Sequence, residues 1–168
     1  MKMADERIIQ VDRETVWAAL LSPDVLKECV PGAQEVTGSV ADGFDATVVQ
    51  KVGPVKATFK GKVTLSDMVE PESLTLSGEG KGGAAGFAKG GANVTLSEVD
   101  GGTRLTYEVE AKVGGKIAQL GSRLIDSFAK KMADEFFTRF QEALEPAPEG
   151  EVEEEGETKK GWFAKLRG

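Results

Sequence analysis

Between Ala33 and Val113 the chain alternates apolar and polar residues with a period of two, and this run limits the fold more than any other feature. The pattern is cleanest over Val55–Leu65. Val55, Ala57, Phe59, Gly61, Val63 and Leu65 fall on one phase; Lys56, Thr58, Lys60, Lys62 and Thr64 fall on the other. Successive strand side chains point to opposite faces, so this is a strand with one buried and one wetted side. Leu105, Tyr107, Val109 and Ala111 alternate in the same way against Arg104, Thr106, Glu108 and Glu110. Turn signals at Ala41-Asp42-Gly43, Gly53-Pro54, Glu70-Pro71-Glu72 and Asp100-Gly101-Gly102 divide the run into about six antiparallel strands.

Inside this run, Gly78 to Gly91 reads GEGKGGAAGFAKGG and holds seven glycines in fourteen residues. It contains a GxGxxG match at Gly78, Gly80 and Gly83. A dinucleotide site needs that match between a parallel strand and a helix. Here Ala88 to Ser97 reads as a further strand, so the context is a hairpin, and the glycines answer to a bulge, a positive φ or a close approach.

Met3 to Val11 reads as a first strand. Asp12 is placed to cap a short helix carrying Val16, Trp17, Leu20 and Leu21, and Ser22-Pro23-Asp24 restarts the chain as a second short helix that Pro31-Gly32 stops. After Gly114-Gly115 a helical stripe runs to Leu144 through Ile117, Leu120, Leu124, Phe128, Met132, Phe136 and Phe140. Its first half is slim or aliphatic (Ala118, Gly121, Leu124); its second half is aromatic (Phe128, Phe136, Phe137, Phe140). Either the aromatic end packs more tightly, or the slim end leaves room for a ligand.

Composition removes several function classes. The chain of 168 residues carries 28 acidic against 21 basic residues, a net charge of −7 that argues against general nucleic-acid binding. It has no histidine, hence neither the usual general base nor the commonest metal ligand. Its one cysteine, Cys29, follows Val25, Leu26 and Lys27 like a core thiol and has no histidine to activate it. Met1 to Gln10 lacks the apolar stretch of a signal peptide, and no window reaches ~18 apolar residues. The expectation is a cytoplasmic protein whose membrane contact is peripheral.

Three segments follow: a domain over residues 1–144, an acidic linker over 145–158, and a basic end over 159–168. The linker, Glu145-Pro146-Ala147-Pro148-Glu149-Gly150 and five more acids to Glu157, has too little apolar surface for a core. A flexible chain of that length spans roughly 20 Å. In the basic end, Trp162, Phe163 and Leu166 share one face if the segment is helical, flanked by Lys159, Lys160, Lys165 and Arg167. That is the pattern of an interfacial anchor for an anionic membrane surface. A solvated basic end and a segment docking on a partner protein are the alternatives.

One strand, two short helices, a long antiparallel sheet and a long last helix together resemble the START-like, helix-grip superfamily. The sequence is more specifically similar to the G-subunit family of carbon monoxide dehydrogenase. Six stretches carry that likeness: Val16-Trp17-Ala18-Ala19-Leu20, Cys29-Val30-Pro31-Gly32, Val52-Gly53-Pro54-Val55, Phe59 to Leu65, Gly78 to Gly90, and Val113-Gly114-Gly115-Lys116 with Gly121-Ser122-Arg123-Leu124. The likeness spans roughly residues 2–144. It implies an α+β fold, an antiparallel sheet of about seven strands curved around a long C-terminal helix. It also implies a non-catalytic accessory protein of a molybdenum-containing carbon monoxide dehydrogenase, or a related hydroxylase. Such a protein recruits the enzyme to the inner face of the cytoplasmic membrane and links its electrons to the lipid-soluble respiratory chain.

An apolar concave face, a membrane-seeking end and this resemblance converge on a cavity for a lipophilic quinone, menaquinone or ubiquinone, with no covalently bound cofactor and no metal. The cavity candidates are Val48, Phe59, Phe87, Tyr107, Leu120, Gly121, Leu124 and Phe128. Gln50 and Asn93 are the polar candidates for a headgroup contact, and Phe87 heads a glycine-rich flap suited to a lid or a docking element. A tethering scaffold with no ligand, and a cyclase or hydrolase of the same fold, are the competing functions; for an enzyme the acids fall mostly on the outer phase.

Overall fold

The computed structural model describes residues 1–145, and both expected helix caps form in it. Asp12 opens α1 (Arg13–Leu20): its carboxylate accepts from the Thr15 hydroxyl at 2.7 Å and the Thr15 N–H at 3.2 Å. Those bonds hold the acid below the ordinary carboxylate range. Ser22 caps α2 (Pro23–Cys29) through the Val25 N–H, with Pro23 at the first helical position, where a missing N–H costs nothing.

The strands are β1 (Lys2–Ile9), β2 (Ala33–Ser39), β3 (Gly43–Val52), β4 (Val55–Val69), β5 (Ser73–Lys81), β6 (Phe87–Val99) and β7 (Gly102–Gly114). They form one seven-stranded sheet in the order β1-β7-β6-β5-β4-β3-β2, with every neighbouring pair antiparallel. β2 to β7 are a meander, and β1 closes on β7, so α1 and α2 carry the chain from one edge of the sheet to the other. The fold is thus the α+β arrangement expected from the sequence. The glycine run is the β5–β6 hairpin, with Gly78 opposite Gly90 and a single 3-10 turn, Gly83–Ala85, at its tip. A strand follows that turn, so the GxGxxG match has no helix N-terminus to hold a phosphate.

The last helix departs from the simple stripe. Gly115 and Gly121 take φ of +81° and +93°, and Lys116–Leu120 between them forms a 3-10 turn, so α3 (Ser122–Leu144) begins only after the break. Its inward face runs through Ile125, Phe128, Ala129, Met132, Ala133, Phe136, Phe137, Phe140 and Leu144, whereas Leu124 is 37% exposed.

The core sits at the C-terminal end of α3. Phe140 and Leu144 are wholly buried with Val16, Trp17 and Ala19 of α1, Ile9 of β1, and Leu96 and Leu105 of β6 and β7. Each such large side chain contributes about 1.5–3 kcal/mol on burial. Phe137 stacks on Tyr107 with ring centroids 5.2 Å apart and meets Phe136 edge-on at 5.0 Å. A smaller cluster of Val52, Ala85 and Ile117, with Leu120 and Phe59 against it, joins the β3–β4 turn to the two 3-10 turns. Among the described residues no helix is long and apolar enough to cross a membrane. Glu145 accepts from the Gln10 N–H at 2.8 Å; the rest of the linker, and the end carrying Lys159, Lys160, Trp162, Phe163, Lys165, Leu166 and Arg167, lie outside the described residues.

Candidate functional site

β4 keeps its alternation over its whole predicted length: Val55, Ala57, Phe59, Gly61, Val63 and Leu65 face inward and the lysines and threonines between them face water. Yet every inward residue of this stretch is only half-buried. The reason is the shape of α3. Its aromatic second half packs over β6 and β7, whereas Ile125 and Ala129 in its first half line open space opposite the sheet. They leave a cavity of about 670 Å³.

The inner faces of the sheet strands, α2 and its following Val30-Pro31, and the first half of α3 bound this space. Gly80, Ala88 and Ala92 line the sheet side with little or no side chain, which widens it further. A Cβ built on Gly80 would meet nothing within 4 Å. Among the described lining residues only Gln50 and Tyr107 carry a polar side-chain group, and no lining side chain is charged. Ligand pockets of ~300–1,000 Å³ with a few polar groups are typical of small-molecule sites. An apolar lining of this kind suits a neutral, lipophilic molecule better than a charged one.

Of the predicted cavity residues the structure brings together Val48, Gln50, Phe59, Tyr107 and Phe128 on the lining. Four others lie elsewhere. Phe87 is 44% exposed, because the strand pleat that turns Ala88 and Ala92 inward turns Phe87 outward, where its ring lies against Gly114. Leu120 belongs to the smaller cluster. Leu124 lies over the β3–β4 turn, its Cδ2 2.8 Å from where a Gly53 Cβ would stand. Gly121 has open space where a side chain would point, so a bulky residue there would not fill the cavity. The sequence stripe misses Ile125 and Ala129 because it steps by four residues from Leu124 to Phe140, and each such step drifts about 40° round the helix, so Leu124 falls off the inward face.

The polar candidates also divide. Asn93 faces solvent, its Oδ1 accepting from Thr75 Oγ1 at 2.9 Å, so it has no part in the cavity. Gln50 lines the cavity, but its amide nitrogen donates to the Pro31 carbonyl oxygen. Tyr107 is 5% exposed, and burial pushes its phenol above the ordinary range, so the hydroxyl stays a proton donor. Cys29 is wholly buried, and burial, with Glu28 beside it, pushes the thiol up to about 12. A thiol so far from ionising has no nucleophilic role near neutral pH.

Comparison with known proteins agrees with the fold. A conserved protein from Geobacillus kaustophilus superposes with a TM-score of 0.78 at 27% identity, over 84% of this chain and 93% of that one. A protein from Chromobacterium violaceum gives 0.64 at 16% identity, over 88% and 99%. A Mycobacterium smegmatis protein gives 0.64 at 16%, over 88% and 92%. The latter two show the fold alone. No curated protein matches the chain. The profile of the carbon monoxide dehydrogenase G-subunit family, CoxG, matches residues 6–145, a span that takes in the whole cavity lining except Met1 and Met3. With that match over most of its length, the chain belongs to the CoxG family.

Proposed function

We propose that this protein is a non-catalytic accessory subunit that carries a neutral lipophile, a respiratory quinone, between a molybdenum-containing carbon monoxide dehydrogenase or a related hydroxylase and the inner face of the cytoplasmic membrane. The observation that carries the reading is the 670 Å³ cavity with no charged side chain on its described lining. A prenyl tail costs roughly 0.8 kcal/mol per CH₂ to expose to water, so a greasy interior is what a carrier needs. The described lining also lacks a side-chain carboxylate or amine positioned for acid–base work, which supports binding over catalysis.

The basic end completes the mechanism. Trp162, Phe163 and Leu166 with Lys159, Lys160, Lys165 and Arg167 form a weak interfacial anchor, each cation worth about 1 kcal/mol near an anionic leaflet. A weak anchor suits a shuttle that must let go.

The experiment is a flotation assay of the full chain with the purified partner enzyme and anionic vesicles. The protein is expected to bring the enzyme to the vesicles, and deletion of residues 159–168 to abolish this while leaving the folded domain unchanged by circular dichroism. Flotation unaffected by the deletion contradicts the anchor. Recruitment by a protein that never binds a lipophile instead favours a pure tether.

A further inference from the structure

Besides Gln50 on β3, the cavity has a polar pole where β1, β7 and α3 meet. Tyr107 lines both the apolar cavity and a small neighbouring pocket of about 230 Å³, which is walled by Lys2, Asp5, Asp126 and Lys130. Its ring is fixed by stacking on Phe137. Arg7 stands behind it: the guanidinium pairs with Asp134, lies 3.9 Å from Asp5, and covers the Phe137 ring at 5.5 Å. Arg7 also acts on the Tyr107 phenol, favouring its charged form against the larger effect of burial.

Two donors remain unused there. The Tyr107 hydroxyl has no protein acceptor among the described residues, and since arginine can only donate, Arg7 leaves the phenolic hydrogen free. The Arg7 Nε is buried without a hydrogen-bond partner. The side-chain charges around the pole balance, with Lys2, Arg7 and Lys130 against Asp5, Asp126 and Asp134; the Met1 ammonium, which also lines the pocket and donates to the Ala111 carbonyl oxygen at 3.0 Å, adds one positive charge. At the phenol itself the charges that act are Arg7 against Asp5 and Asp134, so a carboxylate gains no net attraction there, while the free hydroxyl serves a neutral acceptor.

We propose that Tyr107, positioned by Phe137 and Arg7, is the donor that receives the polar group of the bound molecule, and that this group is an uncharged carbonyl. The ligand then lies with its carbonyl end between β7 and α3 and its apolar body beneath Ile125 and Ala129. This rests on the cavity being a lipophile site. It adds the ligand's orientation, its charge and the residue that selects it; Gln50, also on the lining, already commits one amide hydrogen to the Pro31 carbonyl.

The test titrates the full chain with three probes of equal tail length: a decyl-substituted benzoquinone, decylbenzene and decanoate. Affinities are read by displacement of an apolar fluorescent dye. The wild type is expected to bind the quinone most tightly and to gain nothing from the carboxylate. Tyr107→Phe keeps the ring and its stacking, and is expected to weaken quinone binding about fivefold, the size of one net hydrogen bond, while decylbenzene binds as before. Unchanged decylbenzene binding also certifies that the variant is folded. If both probes bind the wild type and the substitution moves neither, or both alike, Tyr107 is not the donor although the carrier reading stands. If no probe binds the wild type, the carrier reading fails and this inference with it.

Discussion

Gly86 takes a φ of +117°, and a Cβ on it would stand 2.0 Å from the Gly114 carbonyl oxygen. Gly80, in β5 of the same hairpin, has neither constraint. The two positions therefore predict opposite signs. Gly86→Ala is expected to cost about 1–3 kcal/mol, since a side chain there meets both the backbone strain and the carbonyl. Gly80→Ala is expected to be neutral or stabilising by about 0.4–1 kcal/mol through the unfolded chain. Urea midpoints decide it, and equal losses at both positions would mean the run is uniformly intolerant rather than built for specific approaches. The glycine density is legible in the sequence as a hairpin, because a strand pattern follows it. Which glycine serves which purpose is not, since that depends on what crosses it from β7 and β4. Phe87 shows the same limit. As the sole aromatic of the run it invites a role in the cavity, but one step of pleat places it outside.

At the scale of elements, the alternation of β4, the two capped helices and the meander are all readable, because each is set by local chemistry and a period. The last helix is readable from Phe128 onward. There Phe128, Met132, Phe136 and Phe140 share one inward face, whereas before Gly121 the chain is a 3-10 turn that the stripe reads as helix. A stripe drawn in strict steps of four drifts round a helix of about 3.6 residues per turn, which is why Leu124 stands in for Ile125. The slim-end idea survives with different residues. Ala92 of β6 and Ala129 of α3 line the cavity from the sheet and from the helix, so Ala92→Leu with Ala129→Leu is expected to fill it. Adding apolar bulk to open space leaves stability within about 1–3 kcal/mol of the parent, the usual cost of overpacking. The double variant is expected to lose the lipophile while still floating with anionic vesicles. Retention of the lipophile by a folded double variant, read by mass spectrometry, would place the site elsewhere.

At the scale of the whole molecule, the described residues hold a tight aromatic core at one end of α3 and an open apolar space at the other. The two share a boundary at Tyr107, Phe136 and Phe137, which pack in the core and line the cavity. The family profile ends at residue 145, where the described structure ends too, so the acidic linker and the basic end are read from sequence alone. The proposed division of labour is a domain that shields the cargo and an end that finds the membrane. Its central claim is that the cavity carries a neutral lipophile, and the most direct measurement is native mass spectrometry of the full chain purified from quinone-containing cells without detergent. The account predicts a fraction of molecules heavier by one quinone, released into organic solvent and identified there. Protein at the mass of the bare chain throughout, and empty on extraction, would contradict it.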